Sequence, residues 1–203
     1  FFRRQRQMCI RDRVLTVDIS RIKELADTGL LAPLASDILN KHVPSHLRDA
    51  NDRWTALSLR ARIIAVSKER VGKQAITTIE DLASPKWQGR VCSRKGSHVY
   101  NRAILASLIA HNGEEAAKNW TLGLVDNLAR RPQGNDRAQA KAIYSGQCDV
   151  ALMNTYYYGK MKFAKDKPEQ QKWADSIEIA FFNQDGRGPV SYTHLTLPTK
   201  EGV

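Results

Sequence analysis

The sequence has no long hydrophobic run. Nowhere in its 203 residues does an apolar stretch approach the roughly 18 residues that a membrane-crossing helix needs. Cysteine is scarce, with only Cys9, Cys92 and Cys148. An odd number without close spacing is not a disulfide framework. With no Cys-x-x-Cys pair, there is no cysteine zinc spacing either. Cys92 and Cys148 sit in apolar or strand-like contexts and are expected to behave as small hydrophobes. Gly-x-Ser-x-Gly, the P-loop and Gly-x-Gly-x-x-Gly are all missing, and no carboxylate pairs with a histidine in a catalytic order. Hydrolase, kinase and dehydrogenase chemistry therefore have no support, and no enzyme is expected.

Acidic residues are in deficit, 21 against 32 Lys and Arg, for a formal net charge of +11. Part of the excess is local, since residues 1–13 hold five arginines against Asp12. Elsewhere the cations are scattered, with no block of five or six like charges. They are not interleaved with stacking aromatics, as a nucleic-acid groove would require. A solvated basic surface is the simpler reading.

What is present is enough apolar residue, 42%, for one large domain or two small lobes with real cores. Apolar runs at 14–18, 54–59, 62–67, 90–93, 149–153 and 177–182 read as strands. The run RIIAVS at 62–67 is dense in β-branched residues. Helical patterns lie between, at 21–28, 101–110, 114–128, 136–144 and 155–165. Ser20 is placed to cap the first and Gly29 to stop it. Thr77 and Glu80 have capping-box spacing. Asn135 or Asp136 is placed to cap the helix ending at Tyr144. Alternating strands and helices predict an α/β fold with mostly parallel sheets. A boundary is expected near 67–76.

Four segments could carry chemistry. Asn154-Thr155-Tyr156-Tyr157-Tyr158-Gly159 follows a strand that looks fully buried, and open α/β sheets bind ligands at strand carboxyl ends. Neighbouring residues can converge there if the chain turns helical, at about 100° per residue. Phenolate is a hard anionic oxygen donor suited to a hard trivalent cation, although a phenol must first lose its proton. Taken locally, three aromatic packing residues at a domain edge are the simpler reading of the segment. RKGSHVYNR at 94–102 offers backbone N–H groups, His98 and Tyr100 beside positive charge; His98 alone reads as a capping or surface histidine. PQGNDR at 132–137 puts Gly134 and Asn135 at a helix start, either an anion site or a plain N-cap. SLRAR at 58–62 places Arg60 or Arg62 to hold a carbonate or carboxylate, or else to be salt-bridged on an edge strand.

The segments SLRARIIAVSKERV, TTIEDLASPKWQGRV, SHVYNRAILASLIAHNGEEAAKNW, NLARRPQGNDRAQAKAI and CDVALMNTYYYGKM together resemble the ferric-ion-binding proteins of iron ABC transporters. The resemblance covers essentially all of 14–188. It implies a type II periplasmic-binding-protein (Venus-flytrap) fold of two lobes, here as a truncated fragment. Residues 14–70 would belong to the first lobe, 71–180 to the second and 181–188 to the crossover back. It implies Fe3+ as cargo, possibly with a synergistic anion such as carbonate, an ABC permease as partner, a monomer, and a periplasmic or membrane-anchored location. Its paired ligand tyrosines match Tyr156 and Tyr157, and a further one matches Tyr100; Tyr158 is assigned to packing. Arg60, Gly134 and Asn135 are the positions implied for the anion. The stretches at 1–13 and 189–203 resemble translated sequencing-adapter read-through and are expected to be non-native tails. The family's N-terminal His or Tyr ligand is then absent, so these 203 residues alone are expected to bind iron weakly or not at all. The same fold with another cargo (a polyamine, thiamine or an organic anion) is the first alternative, and a basic nucleic-acid-associated protein the second.

Overall fold

The computed structural model describes residues 19–56, 58–72, 76–183 and 194–196. The strand expected at 14–18, and most of both expected tails, lie outside the described residues. The chain divides into two compact units, Phe1–Leu59 with His194–Val203, and Arg60–Thr193.

In the first unit, α1 (Ile19–Asp27) is amphipathic and buries Ile22 and Ala26. It begins ahead of the expected Ser20 cap, and Gly29 ends it with φ +73°. The short helix α2 (Asp37–His42) is capped by Ser36. Arg53 closes the loop that follows, pairing with the Asp49 carboxylate at 2.7 Å and donating to the Ala26 carbonyl at 3.0 Å. Strand β1 (Ser58–Arg60) pairs with β6 (His194–Thr196).

The second unit is built on a four-stranded sheet in the order β3-β4-β2-β5, with β2 at Arg62–Ser67, β3 at Val91–Cys92, β4 at Val150–Asn154 and β5 at Ile177–Ala180. Every residue of β2 and β4 is buried, as expected of apolar runs covered on both faces. Because side chains alternate along a strand, the two faces feed separate cores. Ile64, Val66, Val150 and Leu152 join one core with Ile104 and Leu108 of α3 (Val99–Asn112) and Ala117 and Trp120 of α4 (Glu114–Asp126). Ile63, Ala65, Ala151 and Met153 join the other. There they meet Ala140 and Ile143 of α5 (Asp136–Tyr144), Met161 of α6 (Thr155–Lys162) and Ala174 of α7 (Pro168–Asp175).

Three expectations need correction. The sheet is not mostly parallel: β2 runs antiparallel to both β4 and β5, and only β3–β4 is parallel. Hydrophobic pattern reports burial, whereas strand direction depends on which end the chain enters from. The alternative of a salt-bridged edge strand for Arg60 and Arg62 does not extend to strand 62–67, which is a central strand of the second unit. Third, Cys92 and Cys148 form a disulfide with Cα atoms 5.9 Å apart, a spacing suited to a bridge. Cys92 ends β3 and Cys148 leads into its parallel neighbour β4, so the sheet juxtaposes them.

The capping box at 77–80 is also replaced. A 3-10 turn spans Glu80–Ala83, and the Asp81 carboxylate accepts from the backbone N–H groups of Thr77 and Thr78 at 2.9 and 3.0 Å. Helix α4 lies so close over this turn that a Cβ at Gly123 would sit 2.8 Å from the Ala83 carbonyl oxygen. Gly123→Leu is expected to lower stability by about 1–3 kcal/mol through overpacking, measurable by urea denaturation.

Candidate metal-binding site

The antiparallel register of β2 on β4 builds the site. Arg62 pairs with Asn154, so the start of β2 lies beside the carboxyl end of β4. The Thr155 N–H donates to the Ala61 carbonyl at 3.0 Å, which fastens the beginning of α6 to the chain entering β2. The carboxyl end of β3, parallel to β4, leads through residues 93–98 into α3. The first turns of α3 and α6 therefore meet at one end of the sheet. Each helix N-terminus carries a partial positive charge that favours anions.

Tyr100, in the first turn of α3, and Tyr156, in the first turn of α6, bring their hydroxyl oxygens to 3.4 Å. The Tyr157 ring lies against Tyr156 with centroids 4.2 Å apart and planes tilted by 32°. All three side chains are partly buried. Tyr158 packs against the core lined by Met161 and Ala174. The three tyrosines singled out from the sequence thus come together, as the helical turn after β4 requires.

Cations surround these rings. The Arg60 guanidinium is 4.7 Å from the Tyr156 centroid, and Arg137 is 5.0 Å from that of Tyr157. Arg94 and Arg62 lie 5.1 and 5.6 Å from the Tyr100 centroid. Of the residues assigned to an anion, Arg60 is therefore beside the tyrosines. Gly134 (φ +72°) and Asn135 lead into α5, and the Asn135 side chain caps that helix by accepting from the Ala138 N–H at 3.0 Å. A Cβ at Gly134 would come within 2.6 Å of the Ala138 Cβ, so packing as well as backbone conformation requires glycine there.

Below the phenols lies a buried charge network that the sequence did not reveal. Arg62 and Asp136 are both 0% exposed and paired at 3.1 Å. Asp136 also pairs with Arg94 at 2.9 Å and accepts from the Asn154 N–H at 2.8 Å. Arg62 donates further to the side-chain oxygens of Asn154 and Asn101, each at 3.2 Å. Asn101 ties back to the loop through Ser93 Oγ and the Arg94 carbonyl, both at 3.0 Å. Burial pulls the Arg62 pKa down, against the attraction of Asp136. The fully buried Asn154 keeps one amide nitrogen, Nδ2, without a hydrogen-bond partner. No sequence signal marked Asp136 beyond its place in a helix first turn.

His98 is the N-cap of α3. Its Nδ1 lies 3.2 Å from the Tyr100 N–H and its Nε2 2.8 Å from Arg94 Nη2. Burial, and then the Arg94 charge, lower its pKa and favour the neutral ring, which can accept only one of these donors at a time. Burial, followed by the neighbouring Tyr100 and Tyr157 hydroxyls, pushes the Tyr156 pKa well above the ordinary phenol value. Adjacent phenols resist ionising together unless a cation joins them. Among the described residues, no group of three or more His, Cys, Asp or Glu is arranged to hold a metal.

The family model for bacterial extracellular solute-binding proteins matches residues 14–186. Iron uptake protein A1 of Synechocystis is 40% identical over 95% of this chain and 54% of its own length. The ferric binding protein from Campylobacter jejuni superposes with a TM-score of 0.82 at 38% identity, covering 90% of this chain and 57% of that one. The Trichodesmium protein IdiA (FutA), in complex with iron and citrate ligands, superposes with a TM-score of 0.83 at 39% identity over 90% and 57% of the two chains. The chain therefore spans about half the length of the relatives it matches. These relatives share the type II periplasmic-binding-protein fold, and the family binds solutes rather than transforming them. From the match over 14–186, the chain belongs to the bacterial extracellular solute-binding proteins.

Proposed function

We propose that this chain contributes Tyr100, Tyr156 and Tyr157 as phenolate ligands to a ferric ion, within an extracytoplasmic protein that passes iron to an ABC permease. The observation carrying this reading is the convergence of three phenols, two with hydroxyls 3.4 Å apart, where two helix N-termini meet. The names of the relatives support iron as cargo. A hard trivalent cation suits hard anionic oxygens, and it allows neighbouring phenols to ionise that otherwise resist doing so. Arg60, Arg62 and Arg94 outnumber Asp136 around the phenols. That positive excess supports a small synergistic anion such as carbonate beside the metal, with Arg60 as its first partner. The protein works as a monomer in the periplasm or anchored to the membrane on that side.

Because these 203 residues alone are expected to bind iron weakly or not at all, the test is a titration of the full-length protein that carries them with excess ferric citrate. Phenolate-to-iron charge transfer is expected to give a visible absorption band; a colourless protein at saturating iron contradicts the proposal. Releasing iron returns a proton to each phenol, so lower pH favours release. Affinity is expected to fall about tenfold per pH unit for each phenolate that reprotonates. The raised Tyr156 pKa strengthens that competition. Following the band in a descending pH series checks it, and a band unchanged by acid counts against phenolate ligation.

A further inference from the structure

We propose that Asp136 is the positioning residue of the tyrosine site, an inference that rests on the ferric-phenolate reading above. Its carboxylate joins four parts of the unit. It belongs to the first turn of α5, pairs with Arg62 of β2, pairs with Arg94 of the loop entering α3, and accepts from the Asn154 N–H at the end of β4. Both arginines then lie against the Tyr100 ring, at 5.6 and 5.1 Å. Asn154 stands two residues before Tyr156. One carboxylate thereby fixes the supports of Tyr100 on α3 and of Tyr156 and Tyr157 on α6.

Stability alone does not call for such a group. Well-packed apolar residues often replace a buried ion pair without loss, whereas removing one partner is strongly destabilising. A buried carboxylate shared by two arginines does impose directions on them, which an apolar contact cannot. Metal sites depend on such outer partners to orient their ligands. Asp136 touches no phenol itself; it acts through Arg62, Arg94 and the β4 terminus.

The experiment compares wild type, Asp136→Asn and Arg94→Gln in the full-length protein that carries this chain, titrated with ferric citrate. Ferric affinity is read from the charge-transfer band, and folding from circular dichroism. Asp136→Asn is expected to weaken ferric affinity by roughly 10–100-fold and to shift or diminish the band of the iron-loaded protein as Tyr100 loses its alignment. A purely structural role lowers the melting temperature but leaves the band of the loaded fraction unchanged, which overturns the inference. Arg94 lies near the surface, with 13% of its side chain exposed, so Arg94→Gln decides the matter if Asp136→Asn does not fold. Wild-type affinity and spectrum in Arg94→Gln then overturn the inference. A colourless wild type overturns the ferric-phenolate reading itself; a coloured wild type with unchanged variants overturns only the role of Asp136.

Discussion

Tyr156→Phe combined with Tyr157→Phe is expected to remove the visible ferric band and to weaken ferric affinity by more than the roughly 100-fold that outer-partner changes reach. Phenylalanine keeps each ring and deletes only the oxygen. The ring of Tyr157 packs against the core below it, and that contact survives. Loss of the Tyr156–Tyr100 hydroxyl contact costs about 1 kcal/mol of stability at most. The fold should therefore persist while metal binding disappears. Tyr158→Phe is the internal control, because the proposal leaves its hydroxyl out of the ligand set while its side chain packs against the second core; it should bind iron like the wild type. Calorimetry with ferric citrate measures all three. A double variant that binds as tightly as the wild type removes the adjacent tyrosines from the site.

The second large effect concerns the disulfide. Cys92 and Cys148 are 56 residues apart in sequence. By the loop-entropy argument, a bridge across that separation stabilises the fold by about 4 kcal/mol, acting mainly on the unfolded chain. Cys92→Ala with Cys148→Ala should lower the melting temperature by roughly 8–16 °C for a chain of this size. Far-UV circular dichroism during heating measures it, with and without reductant. Wild type and double variant should differ under oxidising conditions and converge once the wild type is reduced. Identical melting under oxidising conditions contradicts the bridge. Disulfides persist in oxidising compartments, which agrees with a family of extracellular proteins.

The local features of the chain were legible, and the long-range ones were not. The helix expected over 101–110 forms at Val99–Asn112, and the one over 114–128 at Glu114–Asp126, because helical periodicity is a local signal. The tyrosine cluster was legible for a similar reason: a buried strand followed directly by a helical turn leaves neighbouring residues at a sheet terminus. Strand direction was not legible. RIIAVS looks the same whether it runs with or against β4. That direction decides that Arg60 and Arg62 stand at the tyrosine end rather than the far end of the sheet. Asp136 was hidden because its partners Arg62 and Arg94 lie 74 and 42 residues away, and an aspartate in a helix first turn has a sufficient local explanation. The cysteines misled for the same reason. Their spacing carries no motif, and only the parallel pairing of β3 with β4 brings them together.

Resonance Raman spectroscopy, excited within the visible band of the ferric-loaded full-length protein, addresses the phenol oxygens directly. The account predicts enhanced tyrosinate ring vibrations that weaken in Tyr100→Phe and vanish when Tyr156 and Tyr157 are also phenylalanine. A ferric-loaded protein whose spectrum lacks tyrosinate vibrations, or retains them in the triple variant, contradicts it.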